Sequence, residues 1–574
     1  MSTAPIEFPP PVDSAKEFVG APTDPDDERI EVGVVIVGGG PAGLACAIRL
    51  AQLLAEDEAL LESLGEVPIA LVEKGRTPGS HLLSGAMMNP SALRKLFPDA
   101  AEGDWPTYGT VDKDAVYLLT RRRAFPLRPT PPPFRNHGNH VTSLAQLGRW
   151  MAERAEEAGV YLLGETAATK LLVEDGRVVG VRSGDKGRGR EGEELPNFEP
   201  GSDLIAKATV LCEGTQGHLT GAAIRRFELG SDDPQQWELG VKEVWEVQRP
   251  LDRVIHTMGW PLRLGARYRE FGGSFIYPMG DDRISLGLVT GLDYRDARFS
   301  VHDALQLLKG HPLVAGLIEG AKRVGWGAKT IPSGGYWARP RRLWAPGMAI
   351  VGDGAGMVNV PTLKGVHYAM HAGMFAAEAI CERLKAGGSC DDLSNYADKV
   401  EGSEIDRDTY RSRNMRQPFA KGFLVGGAIA NLMEISGGRF PGGRWATHDD
   451  ATVDVFIGPE RDYPKPDGKV TFDKLSSVFL TGNATRDDAP NHIRLQERVP
   501  LEVALMWQNM CPAQVYEVPE AELEAARVDG RLDGKREVNL AVIPSNCVQC
   551  GAITAKGGRL TPPEGGDGPN YQTT

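Results

Sequence analysis

The chain has 574 residues, of which 41% are hydrophobic and 25% charged, with seven cysteines and a formal net charge of −13. That length can hold several domains with substantial cores, and the acidic balance argues against nucleic acid as a partner. No apolar run reaches the ~18–20 residues of a membrane span, and so few cysteines in such a length exclude a disulfide scaffold.

Residues 1–28, MSTAPIEFPPPVDSAKEFVGAPTDPDDE, are acidic and rich in proline. They have neither the basic-then-apolar layout of a secretion signal nor the arginine-rich look of an organelle presequence. Residues 1–30 are therefore expected to form a tail or loosely docked arm of a cytoplasmic protein. Next comes 34–44, VVIVGGGPAGL. Val34, Val35, Ile36 and Val37 predict a buried strand, and residues 42–53 predict a helix. Between them Gly38, Gly40 and Gly43 carry the GxGxxG spacing. Gly38 suits a tight turn, Gly40 lets a pyrophosphate approach the backbone, and Gly43 lets helix and strand pack closely. The helix start offers free N–H groups and a positive dipole end to the phosphates. A second strand over 67–72 ends in Glu73, a carboxylate placed for the ribose hydroxyls of an adenosine. The polar stretch 56–66 lengthens the gap as a helix extension or a loop.

Residues 76–90, RTPGSHLLSGAMMNP, predict a loop that can wrap a ribityl and pyrophosphate. The prolines of 125–140 exclude a helix or central strand there. Residues 141–158 predict an amphipathic helix with Leu144, Leu147, Met151 and Ala155 on one face. Strands follow over 160–163, 168–173 and 178–182, with a turn at Glu174-Asp175-Gly176. Another buried strand, 208–212, ends in Glu213-Gly214. Residues 259–262, 271–277 and 284–289 predict strands of an antiparallel sheet, the build of a substrate domain inserted in a flavin-binding fold. The chain returns at 348–356, a strand running into Gly352-Asp353, whose acid suits a ribityl or pyrophosphate-linked hydroxyl. Residues 369–384 predict a helix whose N-terminal dipole can face the flavin N1/O2 region. Two halves of one nucleotide site, far apart in sequence, point to FAD rather than NAD.

Residues 421–435, KGFLVGGAIANLMEI, are apolar but too short to cross a bilayer. Two readings stand: a core helix, or an interfacial segment flanked by Arg416, Lys421, Arg439 and Arg444. The Pro-rich stretch 125–134, with Arg121, Arg122, Arg123 and Arg128, is a second candidate for a membrane face. After a turn-rich linker at 463–468 come Cys511-Pro512 and Cys547-Val548-Gln549-Cys550. A Cys-Pro pair plus CxxC reads as iron–sulfur ligation, with zinc or a redox-active CxxC as the alternative. Three cysteines stand there, one short of a full set of four sulfurs.

From 34 to 571 the chain resembles the electron-transfer flavoprotein:ubiquinone oxidoreductase family. The resemblance rests on GGGPAGLACA (38–47), VEKG (72–75), LLSGAMMNP (82–90), RNHGNH (135–140), CEGTQGHL (212–219), GWPL (259–262), GGSFIYP (272–278), GLDY (291–294), NVPTLKGVHYAM (359–370), YPKPDGK (463–469), CPAQVYE (511–517), NCVQC (546–550) and PEGGDGPNY (563–571). It implies FAD, a [4Fe-4S] cluster, a quinone pocket and peripheral membrane attachment on the cytoplasmic face, with electron-transfer flavoprotein as donor. The implied fold is α/β plus α+β: a Rossmann-like FAD-binding domain (31–235 and 335–460), an inserted antiparallel β-sheet quinone domain (236–334) and a C-terminal ferredoxin-like iron–sulfur domain (461–574). The residues expected to meet the cofactor are Gly38, Gly40, Gly43, Glu73, Gly352, Asp353, Lys364 and Gly365, and no side chain is expected to act in acid–base catalysis. Gly272 and Gly273 would meet the quinone head group through their backbone, and Cys511, Cys547 and Cys550 would ligate iron. The chain departs from the family at two places: Ile553 stands where the last cluster cysteine belongs, and Asp353 is an acid the family usually lacks. The alternatives are a lipid-acting flavoprotein of the geranylgeranyl-reductase type and a non-catalytic, membrane-docked relative that has lost its cluster.

Overall fold

The computed structural model describes residues 12–84, 87–362 and 364–574. Residues 1–11 of the expected tail, Gly85 and Ala86 of the 82–90 motif, and Leu363 lie outside the described residues.

The β-branched run of the sequence forms the strand Ile30–Val37, whose Val34, Val35 and Ile36 are fully buried. It pairs in parallel with Ile69–Val72 on one side and Asp203–Leu211 on the other. Tyr161–Leu163 extends this parallel sheet beyond Ile69–Val72, and Met348–Ile350 extends it beyond Asp203–Leu211. Ile69–Val72 and Met348–Ile350 are buried throughout, and strands buried on both faces read as continuous apolar runs, which makes them legible in the sequence. The hairpin Ala168–Glu174/Arg177–Ser183 turns through Asp175 (φ 47°) and Gly176 (φ 79°), the paired positive angles of a two-residue hairpin loop. The polar stretch after the helix Pro41–Ala55 is a separate short helix, Glu58–Ser63, whose start is capped by Asp57 accepting from Leu60 N–H.

A second sheet runs in the order Lys322–Pro332, Trp237–Glu246, Arg283–Gly291, Gly272–Met279, Val254–Gly259, Asp114–Leu119, Ala124–Pro126. It is antiparallel except where Val254–Gly259 runs parallel to Asp114–Leu119. The strand expected over 259–262 instead ends at Gly259, and Leu262 N–H turns back to the Gly259 carbonyl at 2.9 Å. Pro261 has no N–H to give a ladder, which favours a strand end before it. Ala124–Pro126 tolerates its proline because it is an edge strand.

The C-terminal segment packs on one face of this second sheet. Val499, Leu501, Ala504, Trp507 and Met510 join Trp245, Trp326 and Tyr294 in one core. Glu243 sits in the same layer, with Lys309 Nζ at 2.8 Å and Arg323 at 3.3 Å, and Glu243 and Lys309 are wholly buried. Arg323 also donates to Ser477 Oγ at 2.7 Å, tying the sheet to the C-terminal segment. Burial opposes ionisation of Glu243, but Lys309 and Arg323 more than offset it and hold its carboxyl below the usual range. The chain end then crosses to the first domain, where Arg149 donates to the Tyr571 carbonyl at 2.5 Å and Ser143 Oγ to the Thr574 carbonyl at 3.1 Å.

Glu243→Ala leaves two buried cations without their counter-charge, a loss expected to cost ~3–5 kcal/mol. Urea unfolding followed by tryptophan fluorescence should show a clearly lowered midpoint; an unchanged midpoint would mean that the ion pair adds nothing to this junction.

Candidate functional site

A long cavity lies at the carboxyl edge of the parallel sheet, the place where open α/β sheets bind ligands. Gly38, Glu73, Glu213 and Asp353, each following a parallel strand, contribute to its wall. Two helices point their N-termini into it: Pro41–Ala55, capped by Gly40, and Val366–Lys385, capped by Gly365. The second helix starts three residues earlier than its apolar pattern predicted, which brings Gly365 and Val366 to the cavity. Free N–H groups and two positive dipole ends thus face one space, suited to phosphates and to an anionic ring edge.

The three glycines differ in what surrounds them. Gly38 has φ 107°, and a Cβ there would lie 2.4 Å from the Cys212 carbonyl oxygen. A Cβ on Gly43 would come within 2.0 Å of the Gly38 carbonyl oxygen, so this residue serves helix–strand packing. Gly40 differs: its Cβ would meet nothing nearer than Leu82 Cδ2 at 3.7 Å. The space beside it is part of the cavity. Gly352 fits between Ala42 and Ala369, at the starts of both helices.

Glu73 is at the wall, with Oε2 accepting from Gly39 N–H at 2.8 Å and Oε1 from Gly75 N–H at 2.6 Å. A carboxylate accepts about four hydrogen bonds, which leaves capacity for ribose hydroxyls. Burial raises Asp353 to about 6 and lowers Lys364, at the same wall, to about 8. Gln216 also lines the cavity, and its amide nitrogen and oxygen are out of solvent with no hydrogen-bond partner among the described residues. Such groups are costly unless a ligand satisfies them. These features fit a flavin dinucleotide.

Cys511, Cys547, Cys550 and Ile553 line a second, smaller cavity in the C-terminal segment. The N–H groups of Ala513, Gln514 and Val515 turn towards Cys511, and Gln549 N–H lies 3.4 Å from Cys547 Sγ. Burial pushes all three thiols up, Cys550 to about 12, so they ionise only when a metal group offsets the cost. Among the described residues no three His, Cys, Asp or Glu side chains are placed to hold a single metal ion. The thiols surround a space rather than a point, which fits an iron–sulfur cluster better than zinc.

The two cavities share a wall. Gln549 and Gly551, inside and just after the CxxC run, line the larger one. Lys74 Nζ donates to Gln549 Oε1 at 2.7 Å, Lys329 Nζ to the Gln549 carbonyl at 3.1 Å, and Thr330 Oγ1 to the Cys550 carbonyl at 2.9 Å. Burial lowers both lysines, Lys329 to about 8. Sequence reasoning missed Lys74, Lys329, Gln216 and Gln549. Lys74 was in reach, next to Glu73; Lys329 had no local signal, since it comes from the second sheet.

Gly272 and Gly273 sit inside a strand, away from the larger cavity. Their backbones pack closely: a Cβ would lie 2.0 Å from the Val289 carbonyl oxygen and 2.4 Å from that of Thr257, respectively. The preceding Phe271 meets Phe419 at 4.5 Å between ring centroids, just before the helix Phe423–Ile435. That helix is not a core helix. Leu424 is 74% and Ile435 83% exposed, while Gly426 and Met433 face inward. No helix of the described residues is long and apolar enough to cross a membrane. Of its expected basic flanks, Arg416 is instead buried against Asp293 and Glu238, because those acids neutralise it inside the fold.

Two family models match the chain: "ETF-QO, ubiquinone-binding" over residues 237–331 and "Electron transfer flavoprotein-ubiquinone oxidoreductase, 4Fe-4S" over 468–572. The chain is 37% identical to the electron transfer flavoprotein-ubiquinone oxidoreductase of Pseudomonas aeruginosa over 95% of this chain and 99% of that protein. It is 36% identical to the mitochondrial protein of the same name from Bos taurus, over 94% of this chain and 89% of that one. A solved structure described as geranylgeranyl bacteriochlorophyll reductase-like, from Thermoplasma acidophilum, shares the fold with a TM-score of 0.54 at 17% identity, over 72% of this chain and 92% of that one.

Gly40 has an extended backbone (φ −86°, ψ −179°) that accepts any residue. Gly40→Val should therefore fold, by circular dichroism, yet purify without flavin absorbance because the side chain fills the ligand's space. A variant that retains the wild-type flavin content would remove the cavity from consideration as the flavin site.

Proposed function

The chain belongs to the electron transfer flavoprotein-ubiquinone oxidoreductase family, and from that premise we propose that it passes electrons from reduced electron transfer flavoprotein to a membrane quinone. FAD in the larger cavity and an iron–sulfur cluster on Cys511, Cys547 and Cys550 supply the electron-carrying chemistry when bound. The observation that carries the reading is the shared wall: the loop that presents Cys547 and Cys550 also closes the cavity that fits a flavin.

The chain's own residues bind, orient and set charge. Gly38, Gly40, Gly43 and Glu73 receive the ADP half of the cofactor, and Gly352, Asp353, Lys364 and Gly365 the flavin half. The N-terminus of Val366–Lys385 favours negative charge on the ring system. Lys74 and Lys329, held between the two sites by Gln549, place positive charge where an electron arrives, in surroundings that screen it poorly. The quinone head group meets the backbone at Gly272 and Gly273. It enters past Phe271 and Phe419, which connect those glycines to the exposed helix Phe423–Ile435. That helix lies in the membrane surface with Leu424, Val425, Leu432 and Ile435 among the lipid headgroups and acyl chains, an interfacial rather than a spanning arrangement.

Anaerobic mixing tests the reaction. Chemically reduced electron transfer flavoprotein should reduce a ubiquinone analogue only when the holoprotein is present. If the protein instead takes electrons directly from a nicotinamide nucleotide and saturates a prenyl double bond, the lipid-reductase alternative holds and this proposal fails.

Lys329→Met removes a buried positive charge beside the flavin. Its midpoint potential should fall by tens of millivolts, since ~1.4 kcal/mol corresponds to about 59 mV for one electron. A spectroelectrochemical titration reads this, and an unmoved potential would assign Lys329 to packing alone.

The double variant Leu424→Asp/Ile435→Asp should lose at least tenfold in partitioning to liposomes, because each side chain contributes ~1.5–3 kcal/mol on burial. Flotation of wild type and variant with the same vesicles decides, and equal partitioning would place the membrane contact elsewhere.

A further inference from the structure

The family model that covers residues 468–572 is that of a 4Fe-4S domain, and such a cluster is normally held by four cysteine thiolates. This chain has seven cysteines. Cys46, Cys212, Cys381 and Cys390 are buried in the core of the first domain, while Cys511 and Cys547 belong to the other core. No fourth thiolate reaches the cluster cavity, and its described lining contains no His, Asp or Glu; its one side-chain oxygen is the phenol of Tyr516, which burial and the three neighbouring thiols keep protonated.

The missing corner has a definite place. Cys547, Cys550 and residue 553 follow one another at intervals of three. Gly551, with φ 88°, turns the chain after Cys550 into the short helix Ala552–Ala555. Ile553 on that helix is buried, lines the cavity and packs against Gly558, with Leu560 beside it on the wall. An iron at this corner would need a ligand that Ile553 cannot supply. A water or hydroxide in its place would have an aliphatic wall and no hydrogen-bond partner from it, a costly position for a polar group.

Resting on the iron–sulfur reading above, we infer that the resident cluster of this chain is a three-iron, four-sulfide cluster on Cys511, Cys547 and Cys550, with no iron at the corner facing Ile553. Each iron takes one thiolate, so the ligand count closes. The site still carries one electron at a time between flavin and quinone.

The test uses the full-length holoprotein purified under strict exclusion of oxygen, so that oxidative loss of a fourth iron is ruled out. Iron and acid-labile sulfide are measured per bound flavin, with electron paramagnetic resonance and Mössbauer spectra of oxidised and reduced samples. The expected result is three irons and four sulfides per flavin, a paramagnetic signal in the oxidised protein that is lost from the conventional spectrum on one-electron reduction, and no gain of iron on incubation with ferrous ion and thiol. Ile553→Cys should then take up a fourth iron, losing the oxidised-state signal and gaining one on reduction. Four irons per flavin in the wild type, silent when oxidised and paramagnetic when reduced, would overturn the inference while leaving the iron–sulfur reading intact. Flavin with no iron would overturn both. Should Ile553→Cys fail to fold, the wild-type stoichiometry and spectra decide alone.

Discussion

Backbone meets backbone where the helices Pro41–Ala55 and Val366–Lys385 cross at the carboxyl edge of the parallel sheet. A Cβ on Gly373 would lie 2.2 Å from the Ala42 carbonyl oxygen, and one on Gly43 would lie 2.0 Å from that of Gly38. Contacts this short leave no room for side chains, and they bring both helix starts to one cavity. Everything at the site follows from that approach. The dipole ends converge, Gly352 fits between Ala42 and Ala369, and the acids Glu73 and Asp353 come to face the same space from strands far apart in the sequence.

The second sheet is held to this frame by its own buried chemistry. Glu243, Lys309 and Arg323 form a dehydrated cluster whose charges are affordable only because they neutralise one another. Through Arg323 and Ser477, and through the shared apolar core, the cluster fixes the C-terminal segment on the sheet. The strand Lys322–Pro332 therefore has two roles. Trp326 and Ala328 pack in the core, while Lys329 and Thr330 hold the loop of Cys550 against the flavin cavity. The shared wall of the two cavities is thus a consequence of how one strand is packed.

The exposed helix Phe423–Ile435 is joined to the second sheet by ring contacts. Its start is anchored by Phe423 N–H donating to the Leu264 carbonyl at 3.0 Å, and Phe419 leads from it to Phe271. Apolar side chains as exposed as Leu424 and Ile435 on one helix mark an interaction face. That face, the phenylalanine pair and the glycines of the second sheet lie in sequence along one path.

What the chain's residues determined locally was readable from them. The strand–glycine–helix unit at 30–55 depends on neighbouring residues alone, because β-branched side chains, a position at positive φ and small helix residues each act within a few positions. The three-residue interval from Cys547 to Cys550 to Ile553 was likewise legible, and so was the lack of a ligand at 553. The proline at 261 is legible too, and the strand expected over 259–262 ends before it. Other features depended on partners that no local pattern names. Whether 423–435 lay inside or outside the core was decided by what packs against it, since an apolar helix looks the same in either place. Arg416 looked like a membrane flank until Asp293 and Glu238 arrived from the second sheet. Lys329 and Gln216 gained meaning only when folding set them against the loop of Cys550 and the cavity wall. Side-chain charge acts through space, so its role is fixed by tertiary neighbours, whereas backbone conformation and residue spacing are already present in the chain.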